Sequence, residues 1–238
     1  MTYQYSDKLS VIIPAGGQGL RMGEKTPKQF LELNGKPIIQ HTLAIFEALD
    51  WIGSIMLCVP LAEVDNFKVI TRNSAKIKVV AGGEKRQDSV YNGLTALATR
   101  TGFVAVHDGV RPFVSEGLIS DVFQAAKEFG AAVAAIPVND TLKRGNKRGF
   151  LEAAVERENL WRMQTPQIFK VEILWEALEM AQKESFSGTD EGSLVQLIGK
   201  PVKFVPGSEF NIKITRPEDL VIGEWIASSN RFNSKSYL

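Results

Sequence analysis

The residues best placed to do chemistry lie in one glycine-rich run, Pro14-Ala15-Gly16-Gly17-Gln-Gly19-Leu-Arg21-Met-Gly23, continued by Glu24-Lys-Thr-Pro27-Lys28-Gln-Phe30. Glycines let backbone N–H groups close on phosphate oxygens with no Cβ in the way. Arg21 and Lys28 add the positive charge that a triphosphate requires. The same residues, taken alone, also make an ordinary glycine turn with two solvated cations. Two familiar phosphate loops do not fit. The spacing Gly17-x-Gly19-x-x-x-Gly23 is one residue too long for the dinucleotide fingerprint, and the second strand does not end in a ribose-binding acid. There is no G-x-x-x-x-G-K-[ST] run, which disfavours a P-loop ATPase.

Two further runs follow apolar segments. In Ala81-Gly-Gly83-Glu-Lys-Arg86-Gln-Asp88-Ser89-Val90, Asp88 or Ser89 has the chemistry of a helix cap. In Val106-His107-Asp108-Gly-Val-Arg111-Pro-Phe113, Asp108 stands at the carboxyl end of a buried strand. A carboxylate there suits a cap, an ion pair with Arg111, or a hard-oxygen ligand for Mg2+, which takes one or two carboxylates plus phosphate oxygens. His107 reads as a structural strand-end histidine, and no metal-ligand spacing pairs it with His41. Thr189, ahead of Asp190-Glu191, reads as a helix N-cap with acids in the first turn. Arg157 and Lys213 read by default as surface cations.

These runs need elements to position them. Residues 9–14, 54–59, 77–81, 103–107 and 131–137 are nearly continuous in apolar side chains, as strands covered on both faces are. Residues 38–48, 61–72, 87–98 and 116–129 carry helical spacing between them. The alternation predicts an α/β fold, a right-handed, doubly wound sheet with ligands at the carboxyl ends of its strands. Residues 138–159 break the rhythm: they are polar, with turn chemistry at Lys143-Arg-Gly-Asn-Lys-Arg-Gly149, and predict a projecting β-hairpin or a solvated loop. Helices at 171–183, 190–198 and 217–227 and a strand at 202–205 complete the reading.

The bulk properties fit one large domain spanning residues 1–238. Lys+Arg 28 against Asp+Glu 27 leaves a formal net charge of +1, which argues against a general nucleic-acid binder. Cys58 is the one cysteine and lies in an apolar run, so it reads as a buried structural thiol and excludes an internal disulfide. The first eight residues contain no apolar h-region, and no later run is long enough for a membrane helix, so a cytoplasmic protein without a membrane partner is expected.

The G-x-G-x-R-M loop followed by Pro27-Lys28-Gln-Phe30 resembles the nucleotidyltransferases that activate sugar phosphates, and within them the cytidylyltransferase branch. Val138-Asn-Asp-Thr-Leu-Lys143, Val155-Glu-Arg-Glu-Asn-Leu-Trp161, Gln164-Thr-Pro-Gln-Ile-Phe169, Thr189-Asp-Glu191 and Asn211-Ile-Lys-Ile-Thr-Arg-Pro-Glu-Asp-Leu220 extend the likeness over about residues 9–226. Together they are similar to the methylerythritol phosphate cytidylyltransferase family. That resemblance implies a Rossmann-like, mostly parallel sheet and the joining of CTP to a polyol phosphate with release of pyrophosphate, assisted by Mg2+. It implies that Arg21 and Lys28 stabilise the transition state. Pro14, Ala15, Gly16, Gly17, Gly19, Gly83, Arg86 and Ser89 would line the nucleotide pocket. Asp108 would be the metal ligand and, with Arg111, Thr141, Arg157, Thr165, Thr189 and Lys213, would serve the polyol phosphate. It further implies a homodimer in which the 138–159 arm completes the partner's site. The chain departs from the family's usual pair of alanines at Gly109-Val110. A ribitol 5-phosphate cytidylyltransferase shares the loop but not the Glu156-Arg157-Glu-Asn-Leu-Trp161 run. A non-catalytic nucleotide-binding module would be expected to lack Arg21, Lys28 or Asp108, and a glycosyltransferase would show an Asp-x-Asp motif.

Overall fold

The computed structural model describes residues 8–16 and 31–229. Strand β1 (Leu9–Pro14) shows why the sheet lies inside the molecule. Val11 and Ile13 face one apolar cluster with Phe46 and Phe123, and Ile12 faces a second with Cys58, Val90 and Phe169. The alternation of the pleat thus sends successive apolar residues into two separate layers. Helices α1 (Ile38–Glu47) and α4 (Glu116–Phe129) supply Phe46 and Phe123 to one layer. Helices α3 (Arg86–Thr95) and α5 (Val171–Lys183) cover the other with Val90, Leu94, Leu174 and Leu178.

Among the described residues the sheet has seven strands. They are β1, β4 (Ile52–Val59), β5 (Ile77–Ala81), β6 (Phe103–Val106), β7 (Ala131–Pro137), β10 (Trp161–Lys170) and β11 (Lys203–Pro206). Their order is β11-β7-β10-β6-β1-β4-β5. Parallel pairs join β6-β1-β4-β5 and β11-β7, and β10 runs antiparallel to both β6 and β7. The remaining elements are a short β2–β3 hairpin (Glu32–Leu33 and Lys36–Pro37), α2 (Val64–Thr71), α6 (Glu191–Leu197), α7 (Pro217–Ser228) and the separate hairpin of β8 (Leu142–Gly145) and β9 (Leu151–Val155).

The expected strands at 9–14, 77–81 and 131–137 and the helices at 116–129 and 171–183 match their elements end to end. Residues 61–63 form a 3-10 turn before α2 rather than its first turn. Strand β10 was not anticipated. Its Gln164-Thr-Pro-Gln167 stretch has neither an apolar run nor clean alternation, yet Gln164, Thr165 and Gln167 are buried at its centre through hydrogen bonds. Its pairing with β7 shifts register between Met163 and Gln167. The residue-138–159 segment does form a hairpin. It leaves the carboxyl end of β7 and returns into β10, with the Val138 N–H donating to Leu160 O at its root. Topology therefore roots it at the sheet edge where β1, β5 and β6 end.

Candidate active site

At that edge β6 runs out into His107 and Asp108, and three neutral hydrogen bonds hold the turn. The Asp108 N–H donates to Thr165 Oγ1 at 3.1 Å, Thr165 Oγ1 pairs with His107 Nδ1 at 3.1 Å, and His107 Nε2 lies 3.1 Å from Arg111 O. A carbonyl only accepts, so Nε2 carries the proton and Nδ1 accepts from the threonine. The imidazole is fully buried, and burial lowers its pKa to about 4 despite the Arg111 carbonyl. It is neutral at physiological pH, which this chain of bonds requires. Gly109 continues the turn because a Cβ there would come within 2.7 Å of Ile39 Cδ1 and 3.3 Å of Ile13 Cγ2. The departure from alanine at this position thus has a packing reason.

Three cations converge on the Asp108 carboxylate. Lys213 Nζ lies 2.9 Å from Oδ2, Arg111 Nε 3.3 Å from Oδ2, and Arg86 Nε 3.4 Å from Oδ1. Burial alone would raise the pKa of this acid, but Arg86, Lys213 and Arg111 outweigh it and hold the carboxyl well below the usual range. Arg86 is paired a second time, from Nη1 to the buried Glu191. Burial opposes its charge, and Glu191 and Asp108 more than restore it. Two carboxylates against three cations leave this cluster with one net positive charge, suited to an anionic ligand.

Behind the cluster, Arg111 Nη1 donates to Asn211 O at 2.6 Å and Nη2 to Met163 O at 3.4 Å. Burial pushes the Arg111 pKa down while Asp108 pulls it up. Asn211 Nδ2 donates to Thr165 O at 2.8 Å. All three Arg111 nitrogens and the Thr165 hydroxyl are therefore engaged by the protein itself. Arg111 Nε and the Thr165 hydroxyl are the two of these atoms that hold Asp108. Lys213 differs, with its side chain 37% exposed.

Beside the cluster, the β5–α3 turn brings Gly83 against the helix start. A Cβ at Gly83 would collide with Asp88 Cβ. Ser89 Oγ accepts the Gly83 N–H at 3.1 Å and donates to Lys85 O at 3.2 Å, so its hydroxyl shapes the turn. Neither of the two expected caps is the N-cap, which is Lys85; Asp88 sits at the third helical position and accepts the Lys85 N–H at 3.1 Å. Gly16 approaches the same turn, where a Cβ on it would stand 3.6 Å from Ser89 Oγ, and the Ala15 N–H donates to Cys58 O at 2.7 Å. Pro14 closes β1 beside them. Gly17, Gly19, Arg21 and Lys28 lie outside the described residues.

The α6 cap is a correction. Asp190, not Thr189, is the N-cap, accepting the Ser193 N–H at 2.9 Å, and Thr189 is left outside the helix. The reason is reach: the shorter path to the N3 amide runs from the residue directly before the helix. Thr141 and Arg157 stay on the hairpin, exposed, with Arg157 Nη1 donating to Asn139 O and neither joined to the cluster.

For a divalent cation, the described residues contain no group of three His, Cys, Asp or Glu side chains. Asp108 is one ionised, hard-oxygen donor, and that chemistry fits Mg2+ bound chiefly through ligand phosphates rather than in an all-protein cage. Glu191, Gln167 and Asn211 were not anticipated as parts of the site. The Thr189-Asp-Glu191 and Asn211-Ile-Lys runs held the signal, but nothing local distinguishes a buried glutamate from a first-turn acid on a helix surface.

The chain matches the family model of 2-C-methyl-D-erythritol 4-phosphate cytidylyltransferase over residues 9–229. It is 44% identical over 229 residues to the protein of that name from Pelotomaculum thermopropionicum, covering 94% of this chain and 96% of the relative. It is 45% identical over 221 residues to the one from Geobacillus kaustophilus, covering 92% and 96%. The crystal structure of the Thermus thermophilus enzyme superposes with a TM-score of 0.80 at 35% identity, covering 93% of this chain and 100% of that one.

Proposed function

The chain belongs to the 2-C-methyl-D-erythritol 4-phosphate cytidylyltransferase family, and we propose that it joins CTP to 2-C-methyl-D-erythritol 4-phosphate in non-mevalonate isoprenoid precursor synthesis. The products are 4-diphosphocytidyl-2-C-methyl-D-erythritol and pyrophosphate. The observation that carries this reading is the cationic cluster on Asp108, in a chain whose family match runs through it.

In the reaction a phosphate oxygen of the polyol phosphate attacks the α-phosphorus of CTP. The bond from that phosphorus to the bridging oxygen breaks and pyrophosphate leaves. Both reactants are anionic, so fixed positive charge must offset their repulsion and the charge that builds at the transition state. Arg21 and Lys28 take that role. Pro14, Ala15, Gly16, Gly17, Gly19, Gly83 and Arg86 form the nucleotide pocket, with Ser89 shaping it from behind. Lys213 exchanges its contact with Asp108 for the polyol phosphate, and Thr189, ahead of α6, serves the polyol hydroxyls. Asp108 would supply the protein oxygen to Mg2+, which when bound neutralises phosphate charge. Arg111 and Thr165 hold Asp108 for that purpose and, with it, serve the polyol phosphate.

The chain is read as one domain with an arm at 138–159, forming a homodimer in which Thr141 and Arg157 complete the partner's site. Among the described residues no helix is long and apolar enough to cross a membrane. A cytoplasmic enzyme acting on small anions, without nucleic acid, fits that observation and the near-neutral charge balance.

A pyrophosphate-release assay with CTP, Mg2+ and each polyol phosphate tests the reading. Turnover should be rapid with 2-C-methyl-D-erythritol 4-phosphate and weak with ribitol 5-phosphate. Faster turnover with ribitol 5-phosphate overturns the acceptor, and a preference for another nucleotide overturns the base.

A further inference from the structure

Glu191 is the buried acid that the reaction as described does not use. It occupies the first position of α6, where it is 1% exposed. Helix capping does not require it, because Asp190 and Ser193 already cap α6 reciprocally. Its Oε1 receives Arg86 Nη1, while its Oε2 is buried with no hydrogen-bond partner among the described residues. A carboxylate in such a place is costly unless fully paired, and an apolar residue would serve packing better. Burial accordingly pushes its pKa up, with Arg86 opposing. Something other than the fold's stability favours an acid here.

What it does to Arg86 supplies the reason. Arg86 opens α3 and is held through two different nitrogens, Nη1 by Glu191 and Nε by Asp108 at 3.4 Å. Two anchors on a planar guanidinium fix both its position and its plane. The Arg86 side chain is 30% exposed while Glu191 beneath it is 1% exposed, so the anchored edge faces inward and further N–H groups remain for a ligand. The two residues flanking Glu191 are held from behind: the Gly192 N–H donates to Gln167 Oε1 at 3.0 Å, and Gln167 Nε2 donates to Asp190 Oδ2 at 2.9 Å. Strand β10 thus fixes α6, α6 fixes Glu191, and Glu191 fixes Arg86.

We propose that Glu191 is a positioning residue for nucleotide binding, holding the Arg86 guanidinium so that its remaining N–H groups meet the CTP phosphates. The inference rests on the function proposed above. Glu191→Gln keeps the shape and an acceptor but removes the charge that holds Arg86. CTP affinity, measured by calorimetry without the second substrate, should fall about tenfold, with the urea midpoint unchanged or raised. Arg86→Lys, which keeps the charge and loses the fork, should weaken CTP to a similar degree. The double variant should be no worse than either single variant, because both act on one contact. Glu191→Asp, which keeps the charge on a shorter stem, should recover part of the loss.

A second readout does not depend on CTP. The Arg86 Nη1 protons, which Glu191 holds, should give distinct resonances slow to exchange in the wild type, averaged with those of Nη2 in Glu191→Gln. An unchanged resonance, a CTP affinity within twofold of wild type in Glu191→Gln or Arg86→Lys, or additive losses in the double variant each overturn the proposal. A wild-type protein that does not turn over CTP would instead overturn the reaction assigned above, with the resonance still deciding whether Glu191 holds Arg86.

Discussion

The edge of the sheet at Asp108 and the hairpin arm at 138–159 carry charges assigned to one reaction, but their surroundings differ in kind. Around Asp108 the charged groups pair at defined distances, and Arg111 and Asp108 are almost fully buried. On the arm, Thr141 and Arg157 are exposed, and so are Phe150 at 66% and Leu151 at 76%. The β8–β9 ladder forms its own two-stranded sheet, and an isolated hairpin has little stability of its own. A buried cluster can be preorganised by its own chain, whereas an arm needs a surface to lie against before it can place a side chain to within a fraction of an ångström. The proposed second copy supplies that surface.

The sharpest way to break this contrast is to remove the centre of the buried cluster. Asp108→Ala leaves Arg111 and Arg86 short of their anion inside the protein, and unpairing a buried charge costs about 3–5 kcal/mol. Urea denaturation should show that loss together with loss of activity. A stability within error of wild type would mean the cluster does not hold the turn.

On the arm, Arg157→Ala should leave stability within about 0.5 kcal/mol, as exposed positions do. It should nevertheless raise the barrier to turnover by about 2.7–4 kcal/mol, the scale of one lost charge-stabilising donor. Mixed with Arg21→Ala and refolded together, it should recover roughly a quarter of wild-type activity, since half the dimers are mixed and each has one intact site. Mixed dimers confirmed by mass but inactive would show that Arg157 acts within its own subunit.

The pH dependence sharpens the buried half of the contrast. His107 has a pKa lowered to about 4 in the folded chain, against an ordinary value of 6.5. Between those values the unfolded state binds the proton and the folded state does not. Its stabilising contribution is therefore complete above pH 6.5 and declines as pH falls toward 4, by at most about 1.4 kcal/mol per unit. Glu191, with a raised pKa, acts in the opposite sense, losing its contribution as pH rises. Comparison of wild type with His107→Gln at pH 7 and pH 5 isolates the histidine: the variant should be less stable at pH 7 but should lose less between the two. An equal loss in both proteins would show that His107 is not held neutral.

Lys213, half-buried and paired with Asp108, sits between the two extremes. Lys213→Ala should raise the KM for the polyol phosphate about tenfold while changing kcat less. A fall confined to kcat would move Lys213 from binding to the chemical step.

Much of this was readable along the chain. Continuous apolar runs announced the strands buried on both faces, and five elements end where the pattern ends. The polar stretch at 138–159 announced a hairpin. What defeated local reading was burial without hydrophobicity. Strand β10 carries Gln164, Thr165 and Gln167 into the interior, and only their partners on other elements, such as Ser208, His107 and Asp190, make that possible. The Thr189 cap failed for a smaller reason, since two adjacent residues had capping chemistry and the backbone chose Asp190.

The sequence by itself determined the layered α/β plan, the strand ends where Asp108 and Gly83 would stand, and, through its motifs, the family. Those features depend on neighbours within a few residues, where periodicity and turn chemistry act. The tertiary structure decided which charges meet. Arg86, Asp108, Glu191 and Lys213 come from four separate elements or loops and form one network only after the sheet is assembled. It also decided that Arg111 and Thr165 face the protein and Lys213 faces outward. The reason is physical: ion pairing and desolvation depend on distance and burial in the folded chain, and neither is encoded in spacing along it.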